Sequence, residues 1–174
     1  MEQQTEYPVA NTVVFDVAQR EYEKIFEASA KLDNKINVAL AFCGVIFFTT
    51  IQLLDFSKLD FPINNAKEFV FSASYCICVI LAVILYMNSI INFMKLLNPI
   101  GYQIINIEDF IYDEMYKEPE QVMKIYLAVK YVEASSRNYE VSNNRAEQYK
   151  KAMVKMITSS ILIVIAYLIK YNMM

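Results

Sequence analysis

Apolar residues in this chain are gathered into blocks. Ile36 to Leu54 (INVALAFCGVIFFTTIQLL) and Phe69 to Met94 (FVFSASYCICVILAVILYMNSIINFM) carry no charged side chain. Met156 to Ile169 is a third apolar run, which reaches Met173 if Lys170 extends its amine to an interface. A helix rises about 1.5 Å per residue and a bilayer's hydrocarbon core is about 30 Å thick, so about 20 apolar residues span it. The first block fits, the second is long enough to tilt or project, and snorkelling of Lys170 makes the third adequate. Core helices of a soluble bundle would place a polar residue at about every third position, and Phe69 to Met94 does not. The pattern predicts an all-α integral membrane protein built as one domain. Three transmembrane helices fall at 36–54, 69–94 and 156–173, with long helices extending into the cytoplasm over 11–35 and 98–155.

Basic residues orient these spans. Arg20, Lys24, Lys31 and Lys35 precede the first, and Arg145, Lys150, Lys151 and Lys155 precede the third. The short stretch from Asp55 to Glu68 has only Lys58 and Lys67, and Asp55, Asp60 and Glu68 make it acidic. The asymmetry puts the N-terminus and the long middle segment inside, and the short loop and C-terminus outside. The first apolar run begins only at Ile36, with no small-residue cleavage site after it, so it is expected to remain a span and not a removed leader.

Outside the spans the period changes. Phe15, Ala18, Tyr22, Ile25, Ser29, Leu32 and Ile36 are spaced three, four, three, four, which is one stripe of a helix. Asn11 or Thr12 is its expected cap. Its other face carries Asp16, Glu21, Glu23 and Glu27, so the stripe is expected to pack on another helix of the protein and not on an anionic membrane surface. Asn98-Pro99-Ile100-Gly101 is a break, since proline disfavours helix at the residue before it. Tyr102 to Tyr116 (YQIINIEDFIYDEMY) is dense in apolar residues without clean periodicity and must be covered by something. From Pro119, a good first-turn residue, Val122, Ile125, Val129, Val132, Ser136, Tyr139, Asn143, Ala146, Lys150, Met153 and Ile157 keep heptad spacing. Polar members of such a seam can fix register or oligomer state, or line a ligand pocket.

Composition narrows the chemistry. There is no histidine, which removes Ser-His-Asp and Cys-His catalysis and the commonest zinc ligand. Net charge is −3, so no electrostatic footprint for DNA or RNA exists. Two glycines cannot supply a phosphate-cradling loop. Cys43, Cys76 and Cys78 lie inside apolar runs and read as small hydrophobes. The acid pairs Glu108-Asp109 and Asp113-Glu114 are adjacent and do not share a helical face. No enzyme, cofactor or metal site is expected. Polar residues within the spans, above all Asn88 and Asn92, four apart at the inner end of the second, either bridge neighbouring helices or face a water-filled path between assembled protomers.

Two close spans, a cytoplasmic segment of about 60 residues and a C-terminal third span resemble the Pycsar-type transmembrane effectors of bacterial antiphage defence. Leu32-Asp33-Asn34-Lys35 resembles that family's D-x-K signature at the entry to the first span. Tyr102 to Tyr116 resembles its aromatic-apolar segment, and Asn143 to Lys151 its polar approach to the last span. The resemblance implies an effector of the bacterial inner membrane, assembling as a homo-oligomer on a nucleotide second messenger or a cytoplasmic signalling protein, and disrupting membrane integrity. Should a cyclic nucleotide bind, Lys124, Lys130, Arg137 and Arg145 are the available phosphate donors, with Tyr126, Tyr131 and Tyr139 to stack on a base, although a solvated helix face is the favoured role for each. Asp33 and Lys35 are expected to pair with Lys151 or Glu147. A membrane-anchored scaffold and a holin-like pore are the alternative functions.

Overall fold

The computed structural model of the chain describes residues 8–53, 65–98, 101–106, 108, 111 and 113–173. Among them there is no strand. Helix α1 is Pro8–Leu53, α2 is Ala66–Leu96 and α3 is Glu120–Met173, with a 3-10 turn at Met115–Lys117. α1 begins at Pro8, ahead of the cap expected at Asn11 or Thr12; proline is pre-shaped for a helix's first position and has no N–H to leave unpaired. α2 starts after Asn65, with Glu68 in its first turn and Lys95 in its last, both favourable to the helix dipole. It ends at Leu96, and the Leu97 N–H donates to the carbonyls of Phe93 and Met94. This stop shortly before Pro99 agrees with the expected break; Pro99 and Ile100 themselves, and the loop at 54–64, lie outside the described residues. The 98–155 segment departs from the expected helical region, being non-helical over 101–106 and continuous helix only from Glu120. Gly101 has φ 106°, a conformation few other residues tolerate. The Pro119 carbonyl accepts from the N–H groups of Val122 and Met123 and so closes the first turn of α3.

The chain forms two compact units. One is Met1–Leu32 with Pro99–Arg145; the other is Asp33–Asn98 with Ala146–Met174.

In the first unit the stripe read on α1 is the packed one, as expected. Ala18 and Ser29 are buried, and Phe15, Tyr22, Ile25 and Leu32 are half-buried. Tyr131 of α3 receives the rings of Phe15 and Tyr22 edge-on, at centroid distances of 5.8 and 5.2 Å. Contacts of this geometry contribute beyond the area they bury.

In the second unit three helical segments meet through small side chains. Ile36, Ala39 and Cys43 of α1, Tyr75, Ala82, Tyr86, Ser89 and Phe93 of α2, and Ala152, Met156, Ser159 and Ala166 of α3 are buried. Most of these positions recur at intervals of three, four or seven, the spacing of interlocking helix seams. α2 and α3 are antiparallel and hydrogen-bonded reciprocally. Ser89 Oγ donates to the Ala152 carbonyl and Ser159 Oγ to the Ala82 carbonyl, each at 2.8 Å. Alanine at the two accepting positions lets the backbones approach closely enough for these bonds. Tyr86 donates to the Cys43 carbonyl and stacks on Phe47 at 6.1 Å.

Two helices are long and apolar enough to cross a membrane: α2, and α3 over Glu120–Tyr171, whose most apolar windows have mean hydropathy 2.4 and 2.1. Only 17% and 22% of those windows is buried by the rest of the protein. A core helix of a soluble bundle would be mostly covered; these two present their apolar surface outward. Lys170, read as extending its amine to the interface, falls on the α3 seam and is 8% exposed, beside a small cavity edged by Thr50, Tyr75 and Ala166.

Candidate functional site

The buried seam of α3 is not the heptad stripe that hydropathy selects. Beside the wholly buried Ala134, the seam in the first unit includes the buried or half-buried Ala128, Tyr131, Ser135, Asn138, Ser142 and Arg145. Each of the latter lies one residue before a member of the stripe running Val129, Val132, Ser136, Tyr139, Asn143 and Ala146. One residue is a rotation of about 100° round the helix. The predicted seam is therefore turned outward, with Ile125 47%, Val129 51% and Val132 57% exposed. Val122, Ser136, Tyr139 and Asn143 are exposed with it. A groove of about 360 Å³ runs along this face between Val14 of α1 and Ile125, Val129 and Val132 of α3, with Glu133 at its edge. Val13 and Val17 extend the same apolar surface on α1. In the segment after α2, Tyr102 and Ile105 are half-buried, whereas Ile104 and Ile111 are exposed; Ile107 and Phe110 lie outside the described residues.

The packed side of α3 holds polar groups. Asn138, wholly buried, treats the Gln103 peptide groups as a strand neighbour would: its Oδ1 accepts the Gln103 N–H at 2.7 Å and its Nδ2 donates to the Gln103 carbonyl at 3.0 Å. Both backbone polar groups of a residue in a non-helical segment are thereby satisfied. Seven residues on, Arg145 Nη1 donates to Ser29 Oγ at 2.9 Å and to the Tyr102 hydroxyl at 3.3 Å, with its guanidinium 5.8 Å from the Tyr102 ring centre. Phe26 also packs on Tyr102, at 5.9 Å. Segment 101–106 is thus fixed to α3 at two points.

Most of the candidate ligand residues are held in separate local contacts. Tyr131, offered as a stacking platform for a base, already has Phe15 and Tyr22 against its ring, and burial raises its hydroxyl pKa. Arg145 is engaged inside the unit and is not displayed to a ligand. Lys124 pairs with Glu120 at 2.8 Å, and that amine holds the Glu120 carboxyl below its usual range, by hydrogen bond first and charge second. Lys130 lies over the Tyr126 ring at 5.3 Å. Tyr126 donates to Asp113, and this bond is the leading reason its pKa is raised; negative charge on Tyr126 in turn raises that of Lys130. Arg137 and Tyr139 are exposed on other sides of the helix. The seven candidates do not converge on one site.

The sequence pairs Asp33 and Lys35 with Lys151 or Glu147. Lys35, Glu147 and Lys151 are exposed and carry no ion pair among the described residues; pairs such as Lys24–Glu21 and Lys31–Glu27 lie about one helical turn apart. Long side chains pair locally at small entropic cost, and bridging two exposed helix faces gains little in water. Asn88 and Asn92 do come together. Asn88 Oδ1 accepts from Asn92 Nδ2 at 3.1 Å and from Lys155 Nζ at 3.0 Å, which ties α2 to α3 in the second unit. Ser89 and Ser159 bridge neighbouring helices, one of the two roles expected of polar residues within the spans; the accepting Ala152 and Ala82 are signalled only by serine and alanine seven residues apart on both helices. The Asn138 clamp has no local sequence signal.

Among the described residues no cluster of His, Cys, Asp or Glu could hold a metal ion. Cys43 is buried with its thiol 3.3 Å from Met156 Sδ, and Cys76 and Cys78 are half-buried and free. Comparison with protein-family models, curated proteins and solved structures finds no match to this chain.

Proposed function

We propose that this protein is a multi-pass membrane effector of bacterial antiphage defence that works by self-assembly. Its N-terminus is cytoplasmic, a third span at Ile36–Leu54 joins α2 and the end of α3 in the inner membrane, and a partner or nucleotide signal drives copies together until membrane integrity fails and growth stops. The observation that carries the assembly is the open apolar face of the first unit: Val14, Ile125, Val129 and Val132 border a groove that no described residue of the protomer covers. In the second unit exposed apolar side chains suit lipid; in the first, water would surround them, and a contiguous patch of this kind marks an interaction surface. The resemblance in layout to Pycsar-type effectors supplies the biological setting. The scatter of the candidate phosphate donors favours assembly over ligand capture as this chain's own contribution.

Expression in bacteria with a membrane-potential dye tests the reading. Depolarisation only alongside a nucleotide cyclase or during phage infection is expected. Unconditional depolarisation points to a holin-like pore, and none under any condition to a membrane-anchored scaffold; either result refutes the effector reading.

A further inference from the structure

We propose that the second unit holds a phospholipid-binding groove, selective for an anionic headgroup, between α1 and α3 at Lys35. The groove has a volume of about 320 Å³. Asn34, Lys35 and Tyr149 form one end, and Val38, Phe42 and Met153 line it toward the other. From residue 35 to residue 42 is about 10 Å along the helix, and over that distance the lining passes from amide, amine and phenol to apolar side chains. A phospholipid has the same order of groups: phosphate, then ester, then acyl chain. Lys35 is exposed and carries no ion pair among the described residues, so its amine is free to meet a phosphate. Asp33 and Glu147, the nearest acids in sequence to the polar end, lie two residues from Lys35 and Tyr149, about 200° round their helices, and are not aimed along the groove. Phe42 is exposed at the apolar end; an acyl chain laid in the groove covers it. The site takes a membrane phospholipid and not a free phosphate, because most of its lining has nothing to offer an inorganic ion.

This inference rests on the membrane reading above, and its test separates the two. The full chain is extracted from bacterial membranes in mild detergent, delipidated, and examined by native mass spectrometry after titration with phosphatidylglycerol, phosphatidylethanolamine or inorganic phosphate. One phosphatidylglycerol per chain is expected to be retained in preference to phosphatidylethanolamine, with no retention of inorganic phosphate. Lys35→Gln is expected to weaken that retention about fivefold, the worth of one interfacial lysine against an anionic lipid. Lys35→Arg restores it, and Lys151→Gln, which removes the same charge from the other side of α3, leaves it unchanged. Met153→Trp, which fills the groove without touching the lysine, lowers retention of both lipids. Equal retention by Lys35→Gln and the unaltered chain, equal loss in Lys151→Gln, or retention of phosphate alone overturns the groove while leaving the membrane reading intact. A chain recovered in the soluble fraction overturns both.

Discussion

The two units solve the same packing problem with opposite materials. Both use helix seams with three-four spacing. In the first, the seam of α3 is rich in polar and aromatic groups, with Tyr131, Asn138 and Arg145 meeting Tyr22, Gln103 and Ser29. In the second it is Ala152, Ser159 and Ala166, small enough to bring backbones together, with serine hydroxyls on the opposing carbonyls. The difference follows from the proposed solvents. In water, burying apolar surface drives association and buried polar groups supply specificity, so a lost partner leaves a desolvated group at full cost. In lipid, apolar contact gives no hydrophobic gain, so close approach and hydrogen bonds to backbone take over.

Mutations that remove hydrogen bonds break this comparison most sharply. Asn138→Leu strands the N–H and carbonyl of Gln103 and is expected to destabilise the first unit by about 2–5 kcal/mol, read as lost protection of residues 101–106 in hydrogen exchange. In the second unit, Ala82→Leu or Ala152→Leu overpacks a site with no exposed surface, and about 1–3 kcal/mol of lost thermal stability in detergent is expected. The double variant Ser89→Ala, Ser159→Ala leaves carbonyls that still have their helical partners, so only about 0.6 kcal/mol per bond should be lost. A serine pair that costs as much as Asn138 would contradict the two-solvent reading. On the open stripe, Ile125→Ser should change protomer stability by no more than about 0.5 kcal/mol, because its side chain is half exposed at the groove.

The smallest effect is electrostatic. The folded pKa of Glu120 is depressed by Lys124, so the contribution of this pair is present above the ordinary glutamate range and disappears as pH falls through the lowered value. Glu120 is fully exposed, and the effect is correspondingly slight. A titration of stability from pH 6 to pH 3 should flatten a little in Glu120→Gln relative to the unaltered chain.

Much of this architecture is legible in the order of the residues. Uninterrupted apolar runs mark the two helices long and apolar enough to cross a membrane, Pro99 marks the end of α2, and the stripe on α1 is the packed one because its apolar and small residues coincide. The register of α3 is misread by hydropathy for a physical reason. Two seams lie side by side on that helix, one residue apart, and hydropathy selects Val122, Ile125, Val129 and Val132. The protomer packs instead through neighbours suited by size and hydrogen bonding, of which hydropathy takes no account. The Asn138–Gln103 clamp is illegible because it depends on the chain returning across α3, and the candidate phosphate donors stay scattered because type and spacing alone do not make side chains converge.

The central claim is that the displaced seam is an interface between copies. Disulfide cross-linking in native membranes tests it most directly, using Val129→Cys in a chain whose three cysteines are replaced by alanine or serine. Arg137→Cys, about 80° further round the helix, is the control. The account predicts covalent dimers from Val129→Cys, lost when Val132→Glu is added, and monomer from Arg137→Cys. Monomer at Val129 under the same oxidation, with the chain folded and membrane-resident, would contradict it.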